Sequence, residues 1–266
     1  MFLTALPERL DVAGTETELL ITGEGQTVLF LHGAHGFDTH DPLIEQLAKS
    51  HKVVAPSLPG FGASPRPHDV TTVDDVAYRV LDLIEELDLT DIILVGVSFG
   101  GWVATEVATK GTGRIARLVL VDPVGVKFGE RETRDIVDLW AHTAQEIPAL
   151  FFADEAKGLT TLHDLDFKSL PEESALRFAR NREALTLYGY NPNLYNPKLK
   201  GRLHRIKVPT LVVSGAEDRI TSAGYGRQFA AGIPGARFES VSDAGHYGYF
   251  EQPAAFAAKI EAFLGA

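Results

Sequence analysis

Short apolar, β-branched runs recur along the chain, at 27–31, 52–55, 91–97, 118–121 and 210–213. Alternation between a polar and an apolar face is weak in all of them. That pattern predicts strands buried on both sides, as in a parallel sheet. Residues 9–22 do alternate, and Gly14-Thr15 lies in their middle, which predicts a β-hairpin. A further strand is expected at 237–241. Helical spacing fills the gaps. Val76, Val80, Leu83, Ile84 and Leu87 follow Thr72 and Asp75, a pair with the spacing of a capping box. Residues 99–110, 224–231 and 253–264 also suit helices, the last with Pro253 in its first turn. Strands alternating with helices predict a doubly wound α/β sheet.

One stretch breaks this rhythm. Between Asp122 and Thr210 no strand pattern is visible, while 130–143 and 172–187 read as helices. Ile136, Leu139, Trp140 and Thr143 would share one face of the first. An insertion of roughly 80 residues is too long for a plain connection. It is expected to form a helical cap over the sheet. The domain division that follows is 1–123 and 206–266 for the core, with 124–205 as the cap.

Composition narrows the chemistry. Of 266 residues, 25 are basic and 36 acidic, a net charge of −11. Such a surface repels phosphate backbones and anionic lipid, which argues against nucleic-acid and membrane partners. The chain has no cysteine, so disulfides, thiolate metal sites and cysteine nucleophiles are excluded. Residues 1–8 lack the basic start and apolar run of a signal peptide, and no stretch has the roughly 20 apolar residues of a membrane span. A cytoplasmic protein, monomeric or homodimeric, acting on a small molecule is expected.

The strongest chemical signal is Gly96-Val97-Ser98-Phe99-Gly100. Ten serines and 25 glycines in 266 residues give only ~0.09 such matches by chance. It also stands between a strand pattern and a helix pattern, the context of a nucleophile elbow. Serine needs a base, and His246 follows the last strand and precedes the last helix. Asp218, just past the strand at 210–213, completes the order Ser…Asp…His. Asp122, at the end of the strand at 118–121, competes for the acid role. His32-Gly33-Ala34-His35-Gly36 follows the strand at 27–31. Its glycine loop is suited to give one oxyanion donor, from Ala34, and the amide of Phe99 the other. His32 is read as a structural residue holding this loop. A metal held by His32 and His35 is the alternative, but no third ligand is evident nearby. The other histidines, His163 among them, are assigned solvated or packing roles.

These residues resemble the α/β-hydrolase family along nearly the whole chain except the cap. Pro56-Ser57-Leu58-Pro59-Gly60-Phe61-Gly62, Val208-Pro209-Thr210, Ala244-Gly245-His246 and Glu251-Gln252-Pro253 look like further family segments. The resemblance implies an α/β-hydrolase fold, a mostly parallel twisted sheet flanked by helices, with a helical cap insertion. It also implies a Ser98-Asp218-His246 triad working without metal or organic cofactor. The nearest groups are small capped esterases, lactonases and C–C bond hydrolases of aromatic breakdown. Two positions depart from the pattern: Val97 precedes the serine where histidine is frequent, and the stretch around His40 lacks a frequent tryptophan.

The expected reaction is hydrolysis of an ester or lactone of a small hydrophobic substrate through an acyl-enzyme. C–C bond hydrolysis by the same triad, and a slow-turnover ligand receptor, are the alternatives. His35, Trp140, Phe151, Tyr188 and Tyr190 are expected to line the pocket, although packing between cap helices accounts for such aromatic residues equally well.

Overall fold

A computed structural model describes residues 7–265 apart from 37, 39, 112, 144, 157–169 and 223. The first two strands, β1 (Glu8–Val12) and β2 (Thr15–Thr22), form the expected hairpin. Its turn is Ala13-Gly14, both at positive φ. Two such residues make the turn whose twist matches that of the strands. The sheet then continues through β3 (Thr27–Leu31), β4 (Lys52–Pro56), β5 (Ile92–Val97), β6 (Ile115–Val121), β7 (Thr210–Gly215) and β8 (Arg237–Val241). The strand order is β1-β2-β4-β3-β5-β6-β7-β8. The β1–β2 and β2–β4 pairs are antiparallel, and all the others are parallel.

This order places the helices. The chain leaves β3 for β4 through α1 (Pro42–Leu47), then returns across β3 to β5 through α2 (Val73–Glu86). Right-handed crossovers running in opposite directions put α1 and α2 on opposite faces. Helix α3 (Phe99–Lys110), between β5 and β6, continues in the direction of α2 and packs beside it. The order therefore reverses between β3 and β5, and a crevice opens at their C-terminal ends. Open α/β sheets bind ligands at that point.

Local chemistry fixes the ends of these elements. Thr72 and Asp75 form the expected capping box on α2, each side chain bonded to the other's backbone N–H. A cap of this kind contributes about 1 kcal/mol. Every residue of β5 is buried, because helices cover both faces. That burial explains the unbroken apolar run.

Between β6 and β7 the chain forms α4 (Ile147–Phe151) and α5 (Glu172–Gly189). The helix expected at 172–187 is α5. The helix expected at 130–143 is absent, apart from one 3-10 turn at Leu139–Ala141. Instead Ile136 forms an antiparallel bridge with Thr221, and Val137 N donates to Ile220 O at 2.8 Å. The Asp135 carboxylate accepts from Phe128 N and Gly129 N, at 2.8 Å each. The apolar spacing there is helical, but backbone pairing with the loop after β7 satisfies the amides in extended form, and tertiary contact overrides local propensity.

Helix α5 is tied to the core at three places. Arg177 pairs with Glu18 of β2 at 2.6 Å. Tyr188 Oη donates to Pro59 O at 3.0 Å. Asn181 bonds to two loops, treated below. The chain resumes the sheet at β7 and closes with α6 (Tyr225–Gly232), α7 (Gly248–Glu251) and α8 (Pro253–Leu264). Helix α8 packs on α1, on the face opposite α2 and α3. No described helix is long and apolar enough to cross a membrane.

Candidate active site

Strand β5 turns into α3 at a single residue, Ser98, which has φ 50° and ψ −112°. A non-glycine residue held there costs about 1–3 kcal/mol and persists only where its surroundings enforce it. Here Ser98 N donates to Val121 O at 2.9 Å, and Ser98 O accepts from Trp102 N and Val124 N. The turn is so tight that its flanking residues have no room for side chains. A Cβ on Gly96 would lie 2.4 Å from Gly100 O, and one on Gly100 would lie 2.1 Å from Leu31 O. The two glycines of the motif are steric requirements of the elbow.

The loop after β8 delivers His246 to the same point. Glu251 Oε2 accepts from Gly245 N at 2.7 Å, and Tyr247 N donates to Phe151 O at 2.8 Å. These bonds clamp the residues on either side of the imidazole. His246 is fully buried; its Nε2 lies 2.8 Å from Ser98 Oγ, and its Nδ1 lies 2.9 Å from Asp218 Oδ2. Asp218 Oδ1 accepts from Ile220 N at 2.7 Å, and Oδ2 accepts from Thr221 Oγ1 at 2.8 Å. Burial alone would raise the Asp218 pKa, but the facing imidazole and these donors hold it below the usual carboxylate range.

Asp122 stands behind this pair. It is buried, and its Oδ1 accepts from Gly215 N at 2.9 Å. Burial, together with the charge of Asp218, pushes its pKa well above the ordinary value. The two carboxyls thus differ: Asp218 faces the imidazole with its pKa lowered, while Asp122, with its pKa raised, ties the end of β6 to β7. Ligand atoms of Asp122, Asp218 and His246 lie within 4.8 Å of one another. Two of those three groups already engage each other.

Ala34 and Phe99 flank Ser98 where the sequence places them. With Ser98 and His246 they line a narrow inner chamber, whose other walls are apolar, including Val124, Leu139, Leu185 and Ile220. The N–H of Phe99 belongs to the first turn of α3, where amides have no acceptor within the helix. Ala34 lies in a turn closed by Gly36 N donating to Gly33 O at 3.1 Å.

His32 holds this loop as expected. Its Nε2 accepts from Leu58 N at 3.0 Å, so Nδ1 carries the proton and donates to Gly33 O at 2.7 Å. Burial pushes its pKa down to about 4, which keeps it neutral. His35 is pushed down to about 3 for the same reason, and then by His32. Its ring packs edge-on against Tyr247, at 4.8 Å between centroids. His163 lies outside the described residues.

A wider outer chamber, open to solvent, adjoins the inner one and shares Ala34, Leu139, Phe151 and Leu185 with it. Of the residues named from the sequence, His35, Trp140 and Phe151 line it. Two expected residues do not. Tyr188 is buried beneath α5, stacks on Phe99 at 6.1 Å and bonds to Pro59, so it supports the wall from behind. Tyr190 is 59% exposed and packs edge-on against Trp140, because it caps α5 on the solvent side. The sequence reading did not single out Asn181, Arg182 and Leu185, which share the chamber face of α5 with Phe178. Their spacing of three, one and three residues was the available signal. Thr221, which bonds to Asp218, carried no local signal, and Glu251, which holds the histidine loop, stood in a family-like segment that did not disclose its partner.

A twisted, largely parallel sheet with a serine elbow at its switch point defines the α/β-hydrolase class. Residues 28–259 match the model of the alpha/beta hydrolase family, and the chain belongs to that family. It is 26% identical to a 2-hydroxymuconate semialdehyde hydrolase of Pseudomonas sp. (strain CF600), over 95% of this chain and 91% of that one. Its fold is like that of a meta-cleavage product hydrolase from Pseudomonas fluorescens IP01, with a TM-score of 0.76 at 22% identity and 97% of each chain covered. It is also similar to a thermophilic esterase from Thermogutta terrifontis, with a TM-score of 0.76 at 25% identity and 98% of each chain covered.

Proposed function

We propose that this chain is a serine hydrolase in which Ser98 is the nucleophile, His246 the base and Asp218 the acid that orients it. The observation carrying this reading is the continuous hydrogen-bonded line from Asp218 through His246 to Ser98, ending in the wall of an apolar chamber. Ser98 Oγ attacks a substrate carbonyl while His246 Nε2 takes its proton. Negative charge develops on the carbonyl oxygen, and the amides of Ala34 and Phe99 stabilise it. His246 then protonates the leaving alkoxide and an acyl-Ser98 ester remains. Water, deprotonated by His246, attacks that ester, releasing the carboxylic acid and restoring the serine. Asp218 remains ionised throughout and stabilises the imidazolium. None of these steps calls for a metal or an organic cofactor.

The apolar walls of the inner chamber suit a small, hydrophobic acyl group, in an ester or lactone, and the outer chamber is assigned to the leaving group. The segment 124–205 acts as a cap, since α4 and α5 supply most of the outer wall. A fluorophosphonate that labels the native protein at Ser98 and leaves Ser98→Ala unlabelled supports the reading. Equal hydrolysis of a short acyl ester by the two proteins would overturn it.

One observation favours a second reaction on the same triad. Arg182 lines the outer chamber and brings a cationic residue to its largely apolar wall. Substrates of C–C bond hydrolases such as the 2-hydroxymuconate semialdehyde hydrolase carry a carboxylate. Turnover of a ring-fission dienoate at a higher kcat/KM than a short ester would assign the C–C reaction.

A further inference from the structure

Helix α5 does more than roof the chamber. Asn181 is only 6% exposed, and its amide joins two loops of the core. Oδ1 accepts from Gly62 N at 2.8 Å, and Nδ2 donates to His35 O at 2.5 Å. The reverse amide orientation would set donor against donor and acceptor against acceptor, so the bonding pattern fixes the side chain. Gly36, the next residue, has φ 87°, and a Cβ there would lie 2.7 Å from Asn181 Nδ2. The loop is thus pressed against this one side chain.

We propose that Asn181 is a positioning residue that sets the oxyanion amide of Ala34, so that the seating of α5 controls transition-state stabilisation. Gly33 to Gly36 form one hydrogen-bonded turn, with Ala34 and His35 at its centre. Holding the His35 carbonyl fixes the plane of the peptide after His35, and through the closed turn it fixes the direction of the Ala34 N–H. An oxyanion donor acts only when it is aimed at the place where the charge develops. Phe178, Arg182 and Leu185, on the same face of α5, line the outer chamber. A group occupying that chamber therefore bears on the helix that aims the donor. The other two anchors of α5, Arg177 on Glu18 and Tyr188 on Pro59, do not reach this turn.

This inference rests on the acyl-transfer reading, and its test separates the two. Asn181→Ala, Asn181→Asp and Arg177→Met are compared with the native protein and Ser98→Ala on a short acyl ester. Each is also titrated with an alkyl boronic acid, whose tetrahedral adduct on Ser98 places an oxygen where the oxyanion would form. Asn181→Asp retains the acceptor for Gly62 N–H and loses the donor to His35 O, so it remains readable if Asn181→Ala fails to fold. The expected result for each foldable Asn181 variant is a kcat lower by about 10- to 100-fold, below the loss of a whole donor. KM should stay within about threefold, and boronate affinity should weaken by the same factor as kcat/KM. Arg177→Met loosens the same helix at another anchor and leaves Glu18 its bonds from Ser57 and Ala63, so it lowers stability but should keep kcat within about threefold of native. Any other pattern overturns the inference: an unchanged kcat, an unchanged boronate affinity, or an equal loss in Arg177→Met. Full activity in Ser98→Ala would instead remove the acyl-transfer reading beneath it.

Discussion

The hydroxyl of Ser98 and the imidazole of His246 meet at 2.8 Å although 148 residues separate them in the chain. One stands at the end of β5 and the other in the loop after β8, and neither is held by its own neighbours alone. The elbow is fixed by β6, and the histidine loop by Phe151 and Glu251. Replacing Ser98 by alanine removes the proposed nucleophile without altering that scaffold. Ester hydrolysis should fall by about 10⁴- to 10⁶-fold. Thermal unfolding, measured in parallel, should move little.

Asp218→Asn should lower kcat by about 10⁴-fold. An amide at this position faces Thr221 and His246 with one acceptor instead of two, and it no longer stabilises the imidazolium. Asp122→Asn should behave differently, because Asp122 bonds to the backbone of Gly215 and its Oδ1 acceptor for that N–H survives the change. Steady-state kinetics of the two variants, side by side, check the division of roles. Equal losses would contradict it.

The elbow glycines offer a test of steric necessity. In Gly100→Ala the new methyl would meet the Leu31 carbonyl oxygen at 2.1 Å, and β3 cannot retreat without leaving the sheet. A loss of about 3 kcal/mol or more is expected, beyond ordinary overpacking. Gly111→Ala is the contrast. Gly111 ends α3 at φ 67° with nothing within 4 Å of its missing Cβ, so only backbone strain of about 1–2 kcal/mol applies. Urea denaturation of the two variants measures the difference.

His32 and His35 should make stability fall in mild acid. Their pKa values are pushed from 6.5 to about 4 and about 3 by burial. Between pH 6.5 and about 4 the unfolded chain binds protons that the folded chain refuses, so stability rises with pH across that window. From pH 7 to pH 5 each histidine removes about 2 kcal/mol. His35→Phe keeps an aromatic ring against Tyr247 and should remove its own share of the loss. Denaturant unfolding at the two pH values reads the slope. An unchanged slope in the variant would show that His35 takes up a proton while folded.

Leu139 lines both chambers and sits where they join. Leu139→Ala should widen that passage. Relative kcat/KM for a longer acyl ester over a short one should rise by about 10- to 100-fold, the discrimination a hydrophobic pocket gives for a methylene or two. A series of p-nitrophenyl esters of increasing acyl length measures it.

Much of this architecture was legible in the chain. The strands of the parallel sheet announced themselves because helices cover both their faces, leaving no polar positions to interrupt them. The capping box on α2 and the positive-φ turn of the first hairpin are local motifs with local signals. The helix expected at 130–143 failed for the opposite reason. Its residues satisfy their backbone through Thr221 and Ile220, far away in sequence, and no local pattern records such a partner. Tyr188 and Tyr190 were assigned to the pocket for being aromatic and in the right segment. The direction each points depends on where α5 lies over the sheet.

Ser98 in its glycine frame, the order of Ser98, Asp218 and His246 along the chain, and the sheet that brings their loops to one edge were all determined by the sequence. Steric demand at a tight turn and burial on two faces restrict residue type, and those restrictions are written in the chain. Only tertiary structure decided that Asp218 rather than Asp122 meets the imidazole, that Thr221 and Glu251 hold the acid and the histidine loop, and that Asn181 braces the turn carrying Ala34. Each of these depends on the relative placement of segments tens of residues apart, where hydrogen-bond partners are chosen by geometry and residue type alone carries no address.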